Sequence, residues 1–207
     1  MPANPLKASF GELLTKALEN IAVLDQAQLR QLGEHYDLLV RWNARMNLTS
    51  IRSMEEAVLR HYAESIFLGT LIPPEATTLL DVGSGAGFPG IPIAVMRPGL
   101  KVTLAESNHR KAVFLQEAVR DMPDVNVVAR RAEELEGDWH WVVSRAVRPQ
   151  EVCKIALKVG QGVGLLMGAA DTEALPMAVA WASPVFLPWG DRRVAILGRV
   201  PRGTSSP

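Results

Sequence analysis

The sequence has a single cysteine, Cys153, in 207 residues, which excludes internal disulfides and a cysteine-built metal centre. Cys153 falls in a helical pattern with Val152, Ile155 and Ala156, where a small buried hydrophobe is the expected reading. No apolar run approaches the roughly 20 residues that a membrane-crossing helix needs. Residues 1–10 lack a basic start followed by an apolar stretch, so no secretory signal is expected and the compartment reads as cytoplasmic. The four histidines (His35, His61, His109, His140) are scattered, and no metal is expected. An excess of either charge is also missing. Lys plus Arg and Asp plus Glu are equal at 22 each, so no overall basic field advertises nucleic acid. The balance is local, because Arg145, Arg148, Lys154, Lys158, Arg192, Arg193, Arg199 and Arg202 outnumber the acids beyond residue 139. Phosphate could be met there, although a solvated face looks the same.

Two regimes run along the chain. From about residue 6 to 72 the apolar residues recur at helical spacing, as in Leu29, Leu32, Tyr36, Leu39 and Val40, until Pro73-Pro74 stops the last helix. After that, short β-rich runs alternate with amphipathic helices. Strands are expected at 77–82, 101–106, 125–129, 139–144, 163–167, 184–187 and 193–197, and helices at 90–96, 109–121, 149–159 and 172–180. Alternation of this kind predicts an α/β fold with a mostly parallel, seven-stranded sheet covered on both faces. The turn Pro188-Trp189-Gly190-Asp191 predicts an antiparallel C-terminal hairpin. The chain therefore divides into an N-terminal helical extension, 1–72, and a core, 73–207, whose last residues, 202–207, read as a frayed tail.

The first strand of the core ends in Gly83-Ser84-Gly85-Ala86-Gly87-Phe88-Pro89-Gly90. Such a turn lets a ligand approach the backbone and presents free amides at a helix start. Its G-x-G-x-x-G match serves a dinucleotide equally well. Glu106, closing the second strand, can accept from both ribose hydroxyls of an adenosine. Asp81, just before the glycines, can organise the loop amides and face the charged methionine end of S-adenosylmethionine (SAM). The rest of the chain leaves no room for a second catalytic domain of dehydrogenase size. Asp81 and this shortage of chain lean the loop toward SAM, with Gly83, Gly85 and Gly87 at its binding turn.

The run LDVGSGAGFPGIP at 80–92, with RWNARMNLTS at 41–50, Arg60-His61 and Ser144-Arg145-Ala146, resembles the bacterial glucose-inhibited division protein B family over roughly residues 29–197. The glycine loop is common to many methyltransferases, whereas the W-N-x-x-x-N-L-T-S run is far more specific. The resemblance implies a Rossmann-like class I methyltransferase that uses SAM to methylate N7 of a guanine in small-subunit (16S) ribosomal RNA, with that RNA or the small ribosomal subunit as partner. It implies that Gly83 and Phe88 line the SAM pocket, that Glu106 binds the ribose, and that Ala132 and Glu133 flank the adenine. Arg145 would face cofactor and incoming base as the catalytic residue, and Arg192 or Arg193 would contact RNA. Leu166-Met167-Gly168 stands where the family often has Leu-Lys-Gly, so a cation is missing there.

Guanine N7 carries a lone pair and no proton, so its methylation needs no general base and can rest on orientation. This suits a chain with no evident triad. N7 lies on the Hoogsteen edge, reachable on splayed bases in loops. Asn43, Asn47 and His61 are candidates for substrate contact; Trp42 reads as core, and a structural hydrogen bond competes for His61. A monomer is expected. A small-molecule or protein substrate for the same cofactor, a nicotinamide-dependent oxidoreductase and a non-catalytic binding module are the alternatives.

Overall fold

The computed structural model describes residues 9–201 apart from Arg52 and Asp191; the expected tail at 202–207 and the helical start before residue 9 lie outside the described residues. The helical region begins with α1 (Phe10–Ala17) and α2 (Gln26–Asn43). Each opens on a capping box, Ser9 with Glu12 and Asp25 with Gln28, which satisfies amide protons that have no partner inside the helix. Then α3 (Met54–Ala57) runs into a π-helical turn (Val58–Ala63) and α4 (Glu64–Leu71). The core follows as β1 (Thr78–Val82), α5 (Gly90–Met96), β2 (Lys101–Ala105), α6 (His109–Ala118), β3 (Val125–Val128), β4 (Trp139–Arg145), α7 (Pro149–Val159), β5 (Gly160–Gly168), β6 (Ala180–Trp181), β7 (Val185–Phe186) and β8 (Arg193–Arg199).

The strand order is β3-β2-β1-β4-β5-β8-β6, with β7 also paired to β8. Strands β1 to β5 are parallel, while β8 runs antiparallel to β5, β6 and β7. Strand order reverses between β1 and β4, the position at which open α/β sheets bind ligands beyond their carboxyl ends. Central strands are apolar on both sides. Leu79, Trp141 and Val143 face the helices that precede β1, together with α5 and α6, whereas Leu80, Val142 and Val163 face α7.

Two sequence expectations need correction. No α-helix covers 172–180. A 3₁₀ turn (Ala169–Ala174) ends at Leu175, whose φ of −68° and ψ of 137° are extended, because Pro176 disfavours the helical conformation in the residue before it and has no amide proton. The sheet edge is also divided: two two-residue segments, β6 and β7, each pair with part of β8. This gives eight strands among the described residues, where seven were expected.

Candidate active site

The glycine-rich loop leaves β1 with Gly83, Gly85 and Gly87 at φ of 70°, 56° and 90°, a region that side chains with a Cβ rarely enter. A Cβ on Gly83 would come within 2.6 Å of Val147 Cγ2. One on Gly90 would lie 2.7 Å from Asp81 Oδ2, so glycine at 90 admits the Asp81 carboxylate to the loop. Asp81 is fully buried, and its Oδ2 accepts from the Gly90 amide at 2.9 Å, while Oδ1 has no hydrogen-bond partner. Burial raises its pKa to about 7 against the lowering effect of that amide. Glu106 stands just past the end of β2 and is buried; Oε2 accepts from the Gly85 amide at 2.9 Å and Oε1 from the Asn108 amide at 2.8 Å. One carboxylate thus ties the loop after β1 to the loop after β2.

The helices before β1 grip the same loop from the other side. His35 Nε2 lies 3.1 Å from the Ala86 carbonyl, which can only accept, so Nε2 carries the proton and Nδ1 accepts from the Tyr62 hydroxyl at 2.8 Å. Burial holds the His35 pKa down to about 4, keeping the ring neutral. Phe88 packs its ring flat against His61, with centroids 4.5 Å apart, and edge-on to Tyr62 and His35. Its side chain therefore serves this packing and lines neither cavity described below.

Two cavities adjoin at Val147, which lines both. The smaller, about 210 Å³, is bounded by Gly83, Ala105, Arg131, Ala132 and Glu133. The larger, about 490 Å³, is bounded by Ser144, Arg145, Met167 and Arg193. Between them the backbone turns sharply, with Ala146 at φ 63°.

Arg145 is held on several sides. Its Nη1 donates to the Arg60 carbonyl and, at 2.8 Å, to His61 Nδ1, and its Nη2 lies 3.9 Å from Glu64 Oε2. Burial lowers its pKa to about 10, with Glu64 opposing, so it stays cationic at neutral pH. Because the guanidinium only donates, His61 Nδ1 accepts and Nε2 carries the proton toward Thr49 Oγ1, 2.8 Å away. Burial, with Arg145 beside it, depresses the His61 pKa to about 3. Both ring nitrogens are engaged. His61, read as either a structural hydrogen-bonder or a substrate contact, is here bonded to Arg145 and Thr49.

The other expected contacts divide. Arg193 lines the larger cavity, and Arg192 is exposed on the turn entering β8 with φ 53°. Asn43 spends its side-chain oxygen on the Leu48 and Thr49 amides at 2.9 and 3.0 Å, closing the loop after α2, whereas Asn47 is exposed. Trp42 packs edge-on against Phe114 in the core. Sequence reasoning missed Glu64 and His35. Each carried a signal: an acid beside Ser65, Ile66, Phe67 and Leu68, and a histidine in helical register with Leu32 and Leu39.

A family model described as rRNA small subunit methyltransferase G matches residues 28–173. Ribosomal RNA small subunit methyltransferase G of Roseiflexus castenholzii is 41% identical over 145 residues, covering 69% of this chain and 62% of the relative. Its counterpart in Stenotrophomonas maltophilia strain K279a is 40% identical over 151 residues, covering 71% and 70%. The chain spans just under two thirds of the length of three such relatives, at 62%, 66% and 66%. Among solved structures, magnesium protoporphyrin IX methyltransferase from Synechocystis PCC 6803 aligns with TM-score 0.58 at 10% identity, covering 79% of this chain and 94% of that one. The ribosomal protein L11 methylase from Lactobacillus delbrueckii aligns with TM-score 0.58 at 9% identity, covering 69% and 80%. These two likenesses concern the fold, which is that of the class I methyltransferases.

Proposed function

The chain belongs to the rRNA small subunit methyltransferase G family, and on that premise we propose that it transfers the methyl group of SAM to N7 of a guanine in 16S ribosomal RNA. The observation that carries the reading is the pair of cavities meeting at Val147 beside the switch in strand order. One is suited to an adenosine and the other, with Arg145 and Arg193 at its rim, to an electron-rich acceptor.

The residues fit SAM. The left-handed Gly83, the carboxylate of Glu106 and the unpartnered Oδ1 of Asp81 provide a close backbone approach, a ribose acceptor and an acceptor for an ammonium group. Ala132 and Glu133 line the smaller cavity where an adenine would lie. When bound, SAM supplies a methyl group on a sulfonium, already a good leaving group. The chain then has only to orient, since N7 carries no proton to be removed. Arg145 stays charged through this work and donates from the side of the larger cavity. The guanine carbonyl O6, next to N7 on the same edge, is the acceptor a guanidinium can take without occupying N7.

We extend the reading to the chain's organisation, a helical extension over 1–72 and a SAM-binding core over 73–207. Among the described residues, the helices before β1 brace the glycine-rich loop and the core carries both cavities. Purified protein with isotopically labelled SAM should mark unmethylated small ribosomal subunits or their RNA at a guanine. Label that persists on RNA in which the guanines carry carbon in place of N7 rules the proposal out.

A further inference from the structure

Two of the residues at the larger cavity's edge, Arg145 and Arg193, meet on one carboxylate that the sequence did not single out. Glu64 opens α4 and is 3% exposed, with buried Ser65, Ile66, Phe67 and Leu68 after it. Its Oε1 accepts from Arg193 Nε at 2.8 Å and its Oε2 from Arg193 Nη2 at 2.9 Å, a two-pronged pair. The same Oε2 stands 3.9 Å from Arg145 Nη2. Arg145 ends β4 and Arg193 begins β8, with β5 between them in the sheet. Glu64 reaches both from the helix layer.

A buried ion pair is weak support for stability, because desolvation offsets most of the attraction. What it secures is direction. Two cations share a single carboxylate, so the cavity edge keeps a net positive charge, and the arginine donors not used by Glu64, Arg60 and His61 belong to residues that line the cavity. The π-helical turn just before Glu64 contributes the Arg60 carbonyl and the His61 ring to the same arrangement.

We propose that Glu64 is a positioning residue for methyl transfer, fixing Arg145 and Arg193 so that their remaining N–H donors meet oxygen acceptors of the target nucleotide. This rests on the reading of the larger cavity as the RNA side of the site. Glu64→Gln keeps the shape and removes the charge, and it is the variant to measure. SAM affinity by calorimetric titration should stay within about twofold of wild type, while kcat on small subunits falls at least about tenfold, as lost orientation requires. In an Arg193→Lys background, Glu64→Gln should cost less than about twofold more, because the pair it acts through is already altered. The Arg193 Nε–H resonance, recorded by NMR, should shift and exchange faster in Glu64→Gln. Unchanged turnover in Glu64→Gln, independent effects in the double variant, or an Arg193 resonance identical to wild type would each overturn the proposal. So would SAM affinity that falls in step with kcat. If the wild-type protein marks no ribosomal RNA, the reading of substrate fails, and the Arg193 resonance alone decides whether Glu64 positions the arginine.

Discussion

Gly83 shows how one missing side chain serves the site in two ways. At φ 70° a Cβ would strain the backbone, and it would also sit 2.6 Å from Val147 Cγ2, on the wall shared by both cavities. Gly83→Ala should therefore lose about 1–2 kcal/mol of stability from the left-handed backbone alone. It should also weaken SAM binding at least about tenfold as Val147 is pushed aside; calorimetry checks the second and denaturant unfolding the first. Affinity equal to wild type would remove Gly83 from the cofactor cavity. Tyr62 makes a related point from beneath the loop. Its hydroxyl fills His35 Nδ1, and His35 in turn holds the Ala86 carbonyl. Tyr62→Phe leaves that ring nitrogen buried without a donor, at a cost of about 1–3 kcal/mol. Denaturant unfolding should show the loss, and a stability equal to wild type would mean that His35 is held by the Ala86 contact alone.

The helices before β1 are part of the site's foundation. Phe10 of α1 is 8% exposed and packs edge-on against Tyr62, with ring centroids 4.8 Å apart, so the aromatic cluster runs unbroken from α1 to Phe88 in the cofactor loop. Phe10→Ala should cost about 3–5 kcal/mol by leaving a cavity there. Because the loop rests on this cluster, SAM affinity should fall with it; an affinity that holds while stability drops would separate the helices from the loop. Much of this layer was legible in the sequence. Helical periodicity marked the region before Pro73, the glycine run and Glu106 fell just past strand ends as expected, and the bounds of α5 and α7 followed from Pro89-Gly90 and Pro149. What escaped was of two kinds. Residues 172–180 have helical composition, but Pro176 interrupts them before tertiary contacts can help, and two short edge strands leave almost no periodicity to detect. The local pattern around Glu64 and His35 signals their burial but not their partners, because a contact between residues 129 apart, such as Glu64 with Arg193, leaves no trace in it.

At the scale of the whole molecule, the buried titratable groups set how stability responds to acid. His35 and His61 have folded pKa values of about 4 and about 3, below their ordinary 6.5. The stability they contribute is present above 6.5 and is lost as pH falls through that value toward the folded ones, at about 2 kcal/mol each between pH 7 and pH 5. Asp81 works in the opposite sense. Its folded pKa is raised from 3.8 to about 7, so its contribution is present at low pH and lost as pH rises through 7, which returns about 2 kcal/mol over the same interval. The net expectation is a loss of roughly 2 kcal/mol on moving from pH 7 to pH 5, read from urea unfolding at the two pH values. A protein more stable at pH 5 would show that the histidines are not held neutral. Bound SAM should alter this balance, since an ammonium beside Asp81 favours the charged carboxylate.

The central claim, methyl transfer to a guanine N7 in 16S ribosomal RNA, is tested most directly in cells of the organism that makes this protein. Small-subunit RNA from cells with and without it should be digested and mapped by mass spectrometry. The account predicts one 7-methylguanosine present with the protein, absent without it, and restored by wild-type protein but not by Arg145→Ala. An identical set of methylated guanosines in both RNAs would contradict it.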